Sequence, residues 1–268
     1  MRIGLKIEYD GTAYAGWQRQ KNAPSIQAAI EQVLFETLHW QGTLIGAGRT
    51  DAGVHALGQV AHFDIETRVP PDRFCYLLNQ KLPLDIRIVQ SWAAAEGFHA
   101  RRSAHGKHYR YTLYCSPHAS ALERNVSLHV PQKLDLAAMQ WAAQALVGEH
   151  DFSAFRTMGS NIVGTVRTIY RLTVRQAGRH IYIDVYGNGF LYNMVRIIAG
   201  TLIAVGKGKI PPESMAEILA KKDRTLAGAT APARGLCMCE VFYGAAPAEG
   251  EKSPWESEKE LDTAPEII

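Results

Sequence analysis

Residues 43–63, TLIGAGRTDAGVHALGQVAHF, have the pattern of a short strand near 43–46, a glycine-rich loop and a returning strand at 60–63. Three glycines, Gly46, Gly48 and Gly53, divide the loop. Glycine allows backbone angles and close approaches that a Cβ atom would forbid, so the polar residues between the glycines can be presented on a tightly folded loop. The rest of the chain is organised around this loop.

Arg49 and Asp51 are the candidate chemical groups of the loop. Residues two apart in an extended chain point to the same side, and a guanidinium beside a carboxylate lowers its pKa and keeps it ionised. An ionised carboxylate that is held still is a candidate nucleophile. The alternative is structural, because an aspartate between Thr50 and Ala52 could serve only as a turn residue or a helix N-cap. The local pattern leaves both roles open.

The first part of the chain predicts the element order β-α-β-β-α-β. Residues 2–9 alternate between apolar and polar as a half-buried strand does. Ser25 is the expected N-cap of a helix with an apolar stripe that ends at Leu38. After the two strands of the loop region, a second helix is expected from Pro70 to about Gln80, and a strand at 86–92.

The same order repeats in the second part. Strands are expected at 107–114, 168–176, 180–187 and 236–242, with helices at 135–147, at about 190–205 and after Pro212. The repeat predicts an α+β fold of two tandem ferredoxin-like halves, each an antiparallel sheet with helices on one face, and a cleft between them. We expect an N-terminal half at 1–105, a C-terminal half at 106–244 and a flexible acidic tail at 245–268.

The charge of the chain is unevenly distributed. The net charge is +3, but residues 245–268 hold seven acidic residues and two lysines, so the preceding body carries +8. A basic body suits a polyanionic partner such as RNA. The tail has no apolar periodicity and is rich in Pro, Ala, Glu and Ser, so it cannot bury enough surface to offset its ordering entropy.

No pattern in the sequence predicts a metal site or a membrane segment. The four cysteines lack zinc-type spacing, and the ten histidines form no H-x-H or H-x-x-x-H pair. The first residues form a strand pattern rather than a signal peptide, and no apolar run approaches spanning length. We therefore expect a cytoplasmic protein without metal and without membrane association.

Six ordered segments carry a resemblance to a known family. They are 8–20 (EYDGTAYAGWQRQ), 48–55 (GRTDAGVH), 98–101 (FHAR), 107–111 (KHYRY), 190–196 (FLYNMVR) and 222–226 (KDRTL). In this order they resemble the signatures of the tRNA pseudouridine synthase A (TruA) family. The resemblance extends over nearly all of residues 2–243.

The resemblance implies a fold, an activity and a set of roles. The two sheets join, the active site lies in the cleft, and a homodimer isomerises uridine to pseudouridine at positions 38–40 of the tRNA anticodon stem and loop, without a cofactor. Asp51 is then the catalytic nucleophile, Arg196 the basic residue that pairs with it, and Tyr109 the ring that stacks on the target uracil. Arg49 either supports Asp51 or wedges into RNA where the target nucleotide leaves the helix, and the resemblance favours the wedge.

The reaction itself agrees with this set of groups. Breaking the N1–C1′ bond, rotating uracil and joining C5 to C1′ transfers no electrons overall, so neither a metal nor a redox group is required. A carboxylate, groups that retain the base and a means of flipping it out of the RNA are required. The alternatives are a synthase for another RNA and a non-catalytic RNA-binding module.

Other basic residues are candidates for contact with RNA phosphates. Each of them is individually more typical of a solvated surface charge. They are Arg19, Arg101, Lys107, Arg110, Lys222 and Arg224.

Overall fold

The computed structural model describes residues 1–157 and 164–243. Internal contacts divide them into two units, one made of Met1–His105 with the described residues from Cys237 on, and one made of Gly106–Leu236. Helices and strands occur in both, which confirms the α+β class. The predicted tail at 245–268 lies outside the described residues.

The first unit follows the predicted element order. Its strands and helices are β1 (Arg2–Tyr9), α1 (Ile26–Leu38), β2 (Ile45–Gly46), β3 (His55–Asp64), a 3-10 turn at Pro71–Arg73, α2 (Phe74–Asn79) and β4 (Ile86–Ala93). Ser25 caps α1 as expected, because its side chain accepts a hydrogen bond from the backbone N–H of Ala28. The helix ends at His39, which is in the left-handed conformation.

The sheet of the first unit has the order β4-β1-β3, with β2 antiparallel to β3. Strand β1 runs antiparallel to β3 and to β4, and its residues Ile3, Leu5 and Ile7 are fully buried. The apolar residues of the alternating pattern at 2–9 therefore form the face of β1 that packs on the core. The polar positions of β1 fall on the opposite face.

The last strand of the described chain, Leu236–Tyr243, lies mostly in a different unit from the one that the sequence predicts. The sequence assigns it to the C-terminal half at 106–244. From Cys237 on it belongs instead to the first unit, where Cys237 pairs in parallel with His55. A Cβ atom on Gly58 would lie 2.3 Å from the carbonyl oxygen of Cys239, so this glycine permits the close approach. Because the two paired strands are far apart in the sequence, no local sequence pattern predicts that they pair.

The described residues of the second unit form five strands and three helices. They are β5 (Ala104–Cys115), β6 (Leu128–Val130), α3 (Leu136–Gln144), β7 (Gly148–Asp151), β8 (Val166–Ala177), β9 (His180–Gly187), α4 (Met194–Gly206) and α5 (Ser214–Lys221), followed by the last strand, β10 (Leu236–Tyr243). The sheet order is β5-β9-β8-β7, and β6 pairs in parallel with β5. Tyr111 and Ile183, which are paired across β5 and β9, are fully buried.

Three features of this unit differ from the prediction. Strands β6 and β7 were not expected, because they are three and four residues long and show no clear alternation. Helix α3 ends at Gln144 rather than 147. Helix α4 begins at Met194 rather than near 190, because Asn193 before it is left-handed, with φ 61°. The tandem ferredoxin-like halves, the joined sheets and the cleft stay predictions.

A buried ion cluster lies on the β5–β9 pair. Asp184 is fully buried, and its Oδ1 atom lies 2.6 Å from Nε2 of His108 and 2.8 Å from Nε of Arg110. Burial alone would raise the pKa of Asp184, but the hydrogen bond from His108 and the charge of Arg110 hold the pKa below its usual range. The cluster links β5 to β9 through Arg110 and Asp184, which are 74 residues apart in the sequence.

No helix in the two described ranges is both long enough and apolar enough to cross a bilayer.

We predict that Asp184→Asn lowers the free energy of unfolding by about 3–5 kcal/mol at pH 7, because it leaves Arg110 buried without its counter-charge. A carboxyl whose pKa is lowered in the fold stabilises the protein above its ordinary pKa of about 4, and that stabilisation is lost as the pH falls through the folded value. Urea unfolding should therefore show a smaller loss of stability between pH 5 and pH 3 in Asp184→Asn than in the wild type. Asp72→Asn, at an exposed carboxylate, is the control, and equal pH dependence in all three proteins would contradict the prediction.

Candidate active site

The loop between β2 and β3 is anchored at Thr50, next to Asp51. The Thr50 hydroxyl lies 2.7 Å from the hydroxyl of Tyr9, in a buried contact, and the Thr50 carbonyl accepts a hydrogen bond of 3.0 Å from the N–H of Trp17. Burial raises the pKa of Tyr9, so its hydroxyl keeps its proton. Residues 9–17 therefore hold the loop from one side.

Two glycines of residues 9–17 allow this contact. A Cβ atom on Gly11 would lie 2.0 Å from the carbonyl oxygen of Val54, and one on Gly16 would lie 2.4 Å from that of Thr50. Gly16 also has φ 96°, a conformation that L side chains rarely adopt. The backbone of residues 9–17 thus packs directly on the backbone of the Asp51 loop. Only glycine permits so short a distance between the two backbones.

The remaining sides of the loop are fixed by β3 and by the loop itself. Gln59 is fully buried and donates from Nε2 to the carbonyl of Gly48 at 2.9 Å. The N–H of Val54 donates to the carbonyl of Asp51 at 3.1 Å, and Gly53 has φ 75°. Asp51 therefore begins a tight turn, and its side chain belongs to a loop with little freedom to move.

Asp51 and Arg49 differ in exposure. Asp51 is half-buried, and Arg49 is exposed. The exposed Arg49 can reach a partner in solution, whereas the half-buried Asp51 is partly shielded from water. A turn residue at position 51 can still act in catalysis, because the turn hydrogen bond is accepted by the backbone carbonyl of Asp51 and not by its carboxylate.

Tyr109 and Tyr111 lie on β5 in different surroundings. Tyr111 is fully buried, its hydroxyl donates to the carbonyl of Pro232 at 2.8 Å, and burial raises its pKa. Tyr109 is 7% exposed, and its ring meets that of Phe190 edge to face at 5.1 Å. Both rings are thus buried, Tyr111 completely, and the choice of Tyr109 as the platform for a base stays a prediction.

Arg196 lies in the first turn of α4. Its Nε atom donates to the carbonyl of Ala231 and its Nη1 atom to Oδ1 of Asn193, both at 2.8 Å. The guanidinium is half-buried. Arg196 is therefore held from two sides rather than extended into solvent.

Arg110 is corrected as a candidate for RNA contact, whereas phosphate contact by Arg224 stays a prediction. Arg110 is only 2% exposed and binds Asp184, so its charge balances a carboxylate inside the second unit. Arg224 is half-buried, and its guanidinium donates to the carbonyls of Ala227 and Gly228 and to the hydroxyl of Thr230. Both side chains are fixed by their own unit.

Three of the other four basic candidates are exposed, and the fourth is half-buried. Arg19 is exposed and pairs with Glu31, a largely buried carboxylate. Lys222 caps α5 in the left-handed conformation and binds Asp151 at 2.7 Å. The remaining two basic residues are the exposed Arg101 and the half-buried Lys107. All four stay candidates for phosphate contact.

The residues assigned to one site by sequence fall in both units. Asp51 and Arg49 lie in the first unit, and Tyr109 and Arg196 in the second. Their meeting in one cleft stays a prediction. Within the described ranges, no group of three or more His, Cys, Asp or Glu side chains could hold a metal ion.

The residues that support the loop were not assigned a role by the sequence. Tyr9, Thr50 and Gln59 are polar groups in buried positions, and a buried polar group requires a hydrogen-bond partner. Gln59 interrupts an apolar run, which is a signal that sequence reasoning could have used. The partners themselves lie 41 residues apart in the case of Tyr9 and Thr50.

Comparison with known proteins identifies the family. The sequence model of the family described as tRNA pseudouridine synthase matches residues 6–101 and 142–244. A relative from Ruminiclostridium cellulolyticum is 52% identical over 243 residues, which is 90% of this chain and 99% of the relative. One from Acetivibrio thermocellus is 49% identical, over 90% and 99% of the two chains, and one from Shouchella clausii is 46% identical, over 91% and 94%. All three are named tRNA pseudouridine synthase A.

We predict that Tyr9→Phe and Thr50→Val each lower the free energy of unfolding by about 1–3 kcal/mol, because each removes the buried hydrogen bond between the two hydroxyls. The double variant should lose less than the sum of the two single losses. Urea unfolding of the four proteins measures this coupling, with Tyr76→Phe as a control at a tyrosine that is 64% exposed. Additive losses would show that the two hydroxyls do not interact.

Proposed function

Because the chain belongs to the tRNA pseudouridine synthase family, we propose that it isomerises uridines at positions 38–40 of the tRNA anticodon stem and loop. Conversion of uridine to pseudouridine in tRNA is the activity that the family carries. The narrower choice of positions comes from the resemblance of the signature segments to one branch of that family. The observation that carries the proposal is the GRTDAGVH segment at 48–55, folded as a tightly held loop with Asp51 half-buried.

The chemistry explains why a fixed carboxylate is needed. The N1–C1′ bond breaks, the uracil rotates while it stays bound, C5 joins C1′, and the C5 proton leaves. A glycosidase that releases its product to water uses two carboxyl groups, whereas an internal transfer needs one carboxylate and a site that retains the base. Asp51 supplies this carboxylate in the proposal, as the nucleophile.

The loop geometry supports Asp51 in this role. The neighbouring Thr50 is held by Tyr9, and the backbone carbonyl of Asp51 accepts a hydrogen bond from the N–H of Val54, so the backbone that carries the carboxylate is held in place. A group that is already in place does not have to be ordered during the reaction, which is a large part of enzymatic rate acceleration. The same fixed loop presents Arg49 outward.

The other residues take the roles that the resemblance implies. We propose that Arg196 pairs with Asp51 and keeps it ionised, that the Tyr109 ring stacks on the flipped uracil, and that Arg49 occupies the space that the target nucleotide leaves in the RNA. The edge contact of Phe190 supports the orientation of Tyr109. Two hydrogen bonds from its own unit orient Arg196.

The proposed partners and location follow the same reasoning. Exposed or partly exposed basic residues (Arg19, Arg101, Lys107 and Lys222) would contact tRNA phosphates. We propose a homodimer that binds one tRNA across both subunits, works without a metal or organic cofactor, and acts in the cytoplasm. A basic body with net charge +8, which is the total of +3 less the tail's −5, supports binding to RNA.

We predict that Asp51→Asn abolishes pseudouridine formation while tRNA binding is kept. Asparagine has the size of aspartate and forms hydrogen bonds but carries no charge, so the single-turnover rate should fall on the order of 10⁴-fold or more, as it does when nucleophiles are removed from other enzymes. Nucleoside analysis of the tRNA measures product, and filter binding measures affinity. Asp72→Asn, at an exposed carboxylate, is the matched control. Turnover by Asp51→Asn within tenfold of the wild type would remove Asp51 from its role.

A second prediction separates the two tyrosines of β5. Tyr109→Leu should lower the single-turnover rate by about 5- to 150-fold, because it removes a stacking surface worth about 1–3 kcal/mol. Tyr109→Phe should retain most of the rate if the ring only stacks, and should bind tRNA but stall if the hydroxyl also moves the C5 proton.

Tyr111→Phe is the comparison for these variants. It should cost about 1 kcal/mol of stability, because the carbonyl of Pro232 loses its donor. Its single-turnover rate should remain that of the wild type. A slow Tyr111→Phe together with a fully active Tyr109→Leu would overturn the assignment.

A further inference from the structure

We propose that Asn193 and Arg224 are positioning residues for the reaction, and that they act by holding the guanidinium of Arg196. The inference rests on the role proposed above for Arg196. It gives a function to two residues of the second unit that make no contact with the reacting atoms in this account. It also replaces the phosphate contact that the sequence suggests for Arg224.

Asn193 forms the first half of the clamp on Arg196. It is in the left-handed conformation, with φ 61°, directly before α4, and its side chain does not cap that helix. Its Oδ1 atom instead accepts from Nη1 of Arg196 at 2.8 Å, and its Nδ2 atom donates to the hydroxyl of Thr157 at 2.9 Å. Both ends of the amide are therefore used, which fixes its orientation.

Ala231 forms the second half. Its carbonyl accepts from Nε of Arg196 at 2.8 Å, and its N–H donates to the backbone carbonyl of Arg196 at 3.1 Å. Ala231 is 4% exposed, so these bonds are shielded from water. The two halves together hold two of the five N–H donors of the guanidinium, Nε and Nη1, on fixed oxygen atoms.

Arg224 builds the loop that carries Ala231. Its Nη1 atom donates to the carbonyl of Gly228 at 2.9 Å and to that of Ala227 at 3.3 Å, and its Nη2 atom lies 3.2 Å from the hydroxyl of Thr230. These acceptors lie three to six residues after Arg224 in the chain. One charged side chain thus closes the whole loop, and hydrogen bonds to a charged donor are the stronger kind.

The same loop is fastened to α4, the helix of Arg196. The N–H of Gly228 donates to the hydroxyl of the fully buried Thr201 at 2.9 Å. A Cβ atom on Gly200 would lie 1.8 Å from the carbonyl oxygen of Ala229, so the loop rests directly on the helix backbone. Loop and helix therefore move together, and Arg224 fixes the position of the Ala231 carbonyl relative to Arg196.

Asn193 is tested by two substitutions that both tolerate the left-handed backbone. Asn193→Gly removes the acceptor for Arg196, whereas Asn193→Asp keeps it. We expect Asn193→Gly to lower the single-turnover rate at saturating tRNA by about 10- to 100-fold, which is the usual effect of removing a group that orients a functional side chain. The dissociation constant for tRNA should change less than threefold, and Asn193→Asp should recover most of the rate.

Arg224→Ala distinguishes positioning from phosphate contact. A positioning role predicts a slower single turnover at saturating tRNA with an unchanged salt dependence of binding. A phosphate contact predicts weaker binding, a salt slope smaller by about 1 and a normal rate at saturation, and this result would overturn the inference for Arg224. Lys209→Ala, at an exposed lysine after the far end of α4, is the control and should change neither quantity.

Repeating both substitutions in the Arg196→Ala variant distinguishes a failure of this inference from a failure of the proposed function. If Arg196→Ala is slow, Asn193→Gly and Arg224→Ala should add little further loss in that background, because their effect passes through the missing guanidinium. Full additional losses would mean that both residues act elsewhere. A fully active Arg196→Ala would refute the proposed role of Arg196 itself. Circular dichroism at the assay temperature checks that each variant is folded.

Discussion

The close approach of residues 9–17 to the Asp51 loop is the constraint on which the site depends. Backbone meets backbone at Gly11 and at Gly16, where any larger residue would collide with a carbonyl oxygen. The buried hydroxyl pair of Tyr9 and Thr50 then fixes the register of the contact. Because the loop touches β1, β3 and the start of α1 through this segment, the catalytic candidate is held by the core of the first unit rather than by its own turn alone.

The charged groups of the second unit follow a related principle. Asp184 and Arg110 are buried together, and each would be costly to bury alone. Arg196 and Arg224 are likewise held by carbonyl and amide oxygens of their own unit. Arginine suits this use because its planar fork can satisfy several acceptors at once and keeps its charge. The basic character of the chain therefore serves internal order as well as attraction to RNA.

The sequence predicted what local chemistry determines. The Ser25 cap and the alternation of 2–9 were sufficient for α1 and β1, and the α+β class followed from the order of elements.

The sequence could not predict contacts between distant residues. Arg110 was read as a surface charge because its counter-ion, Asp184, is 74 residues away. The pairing of the last strand with β3, and the short strands β6 and β7, also depend on distant partners. Asp51 was found through its motif, but the way in which it is held became visible only in the folded chain.

Release of tritium from C5-tritiated uridine in tRNA tests most directly whether this held loop performs the reaction. Gly11→Ala must shift the loop, and a displacement of about 1 Å can cost on the order of 10²-fold in rate. Gly189→Ala, where a Cβ atom would meet its nearest neighbour at 3.7 Å, is the matched control. We predict that the wild type and Gly189→Ala release tritium equally fast from anticodon-arm uridines, and that folded Gly11→Ala binds tRNA but releases tritium about 10²-fold more slowly. Equal rates in all three proteins, or no release by the wild type, would contradict it.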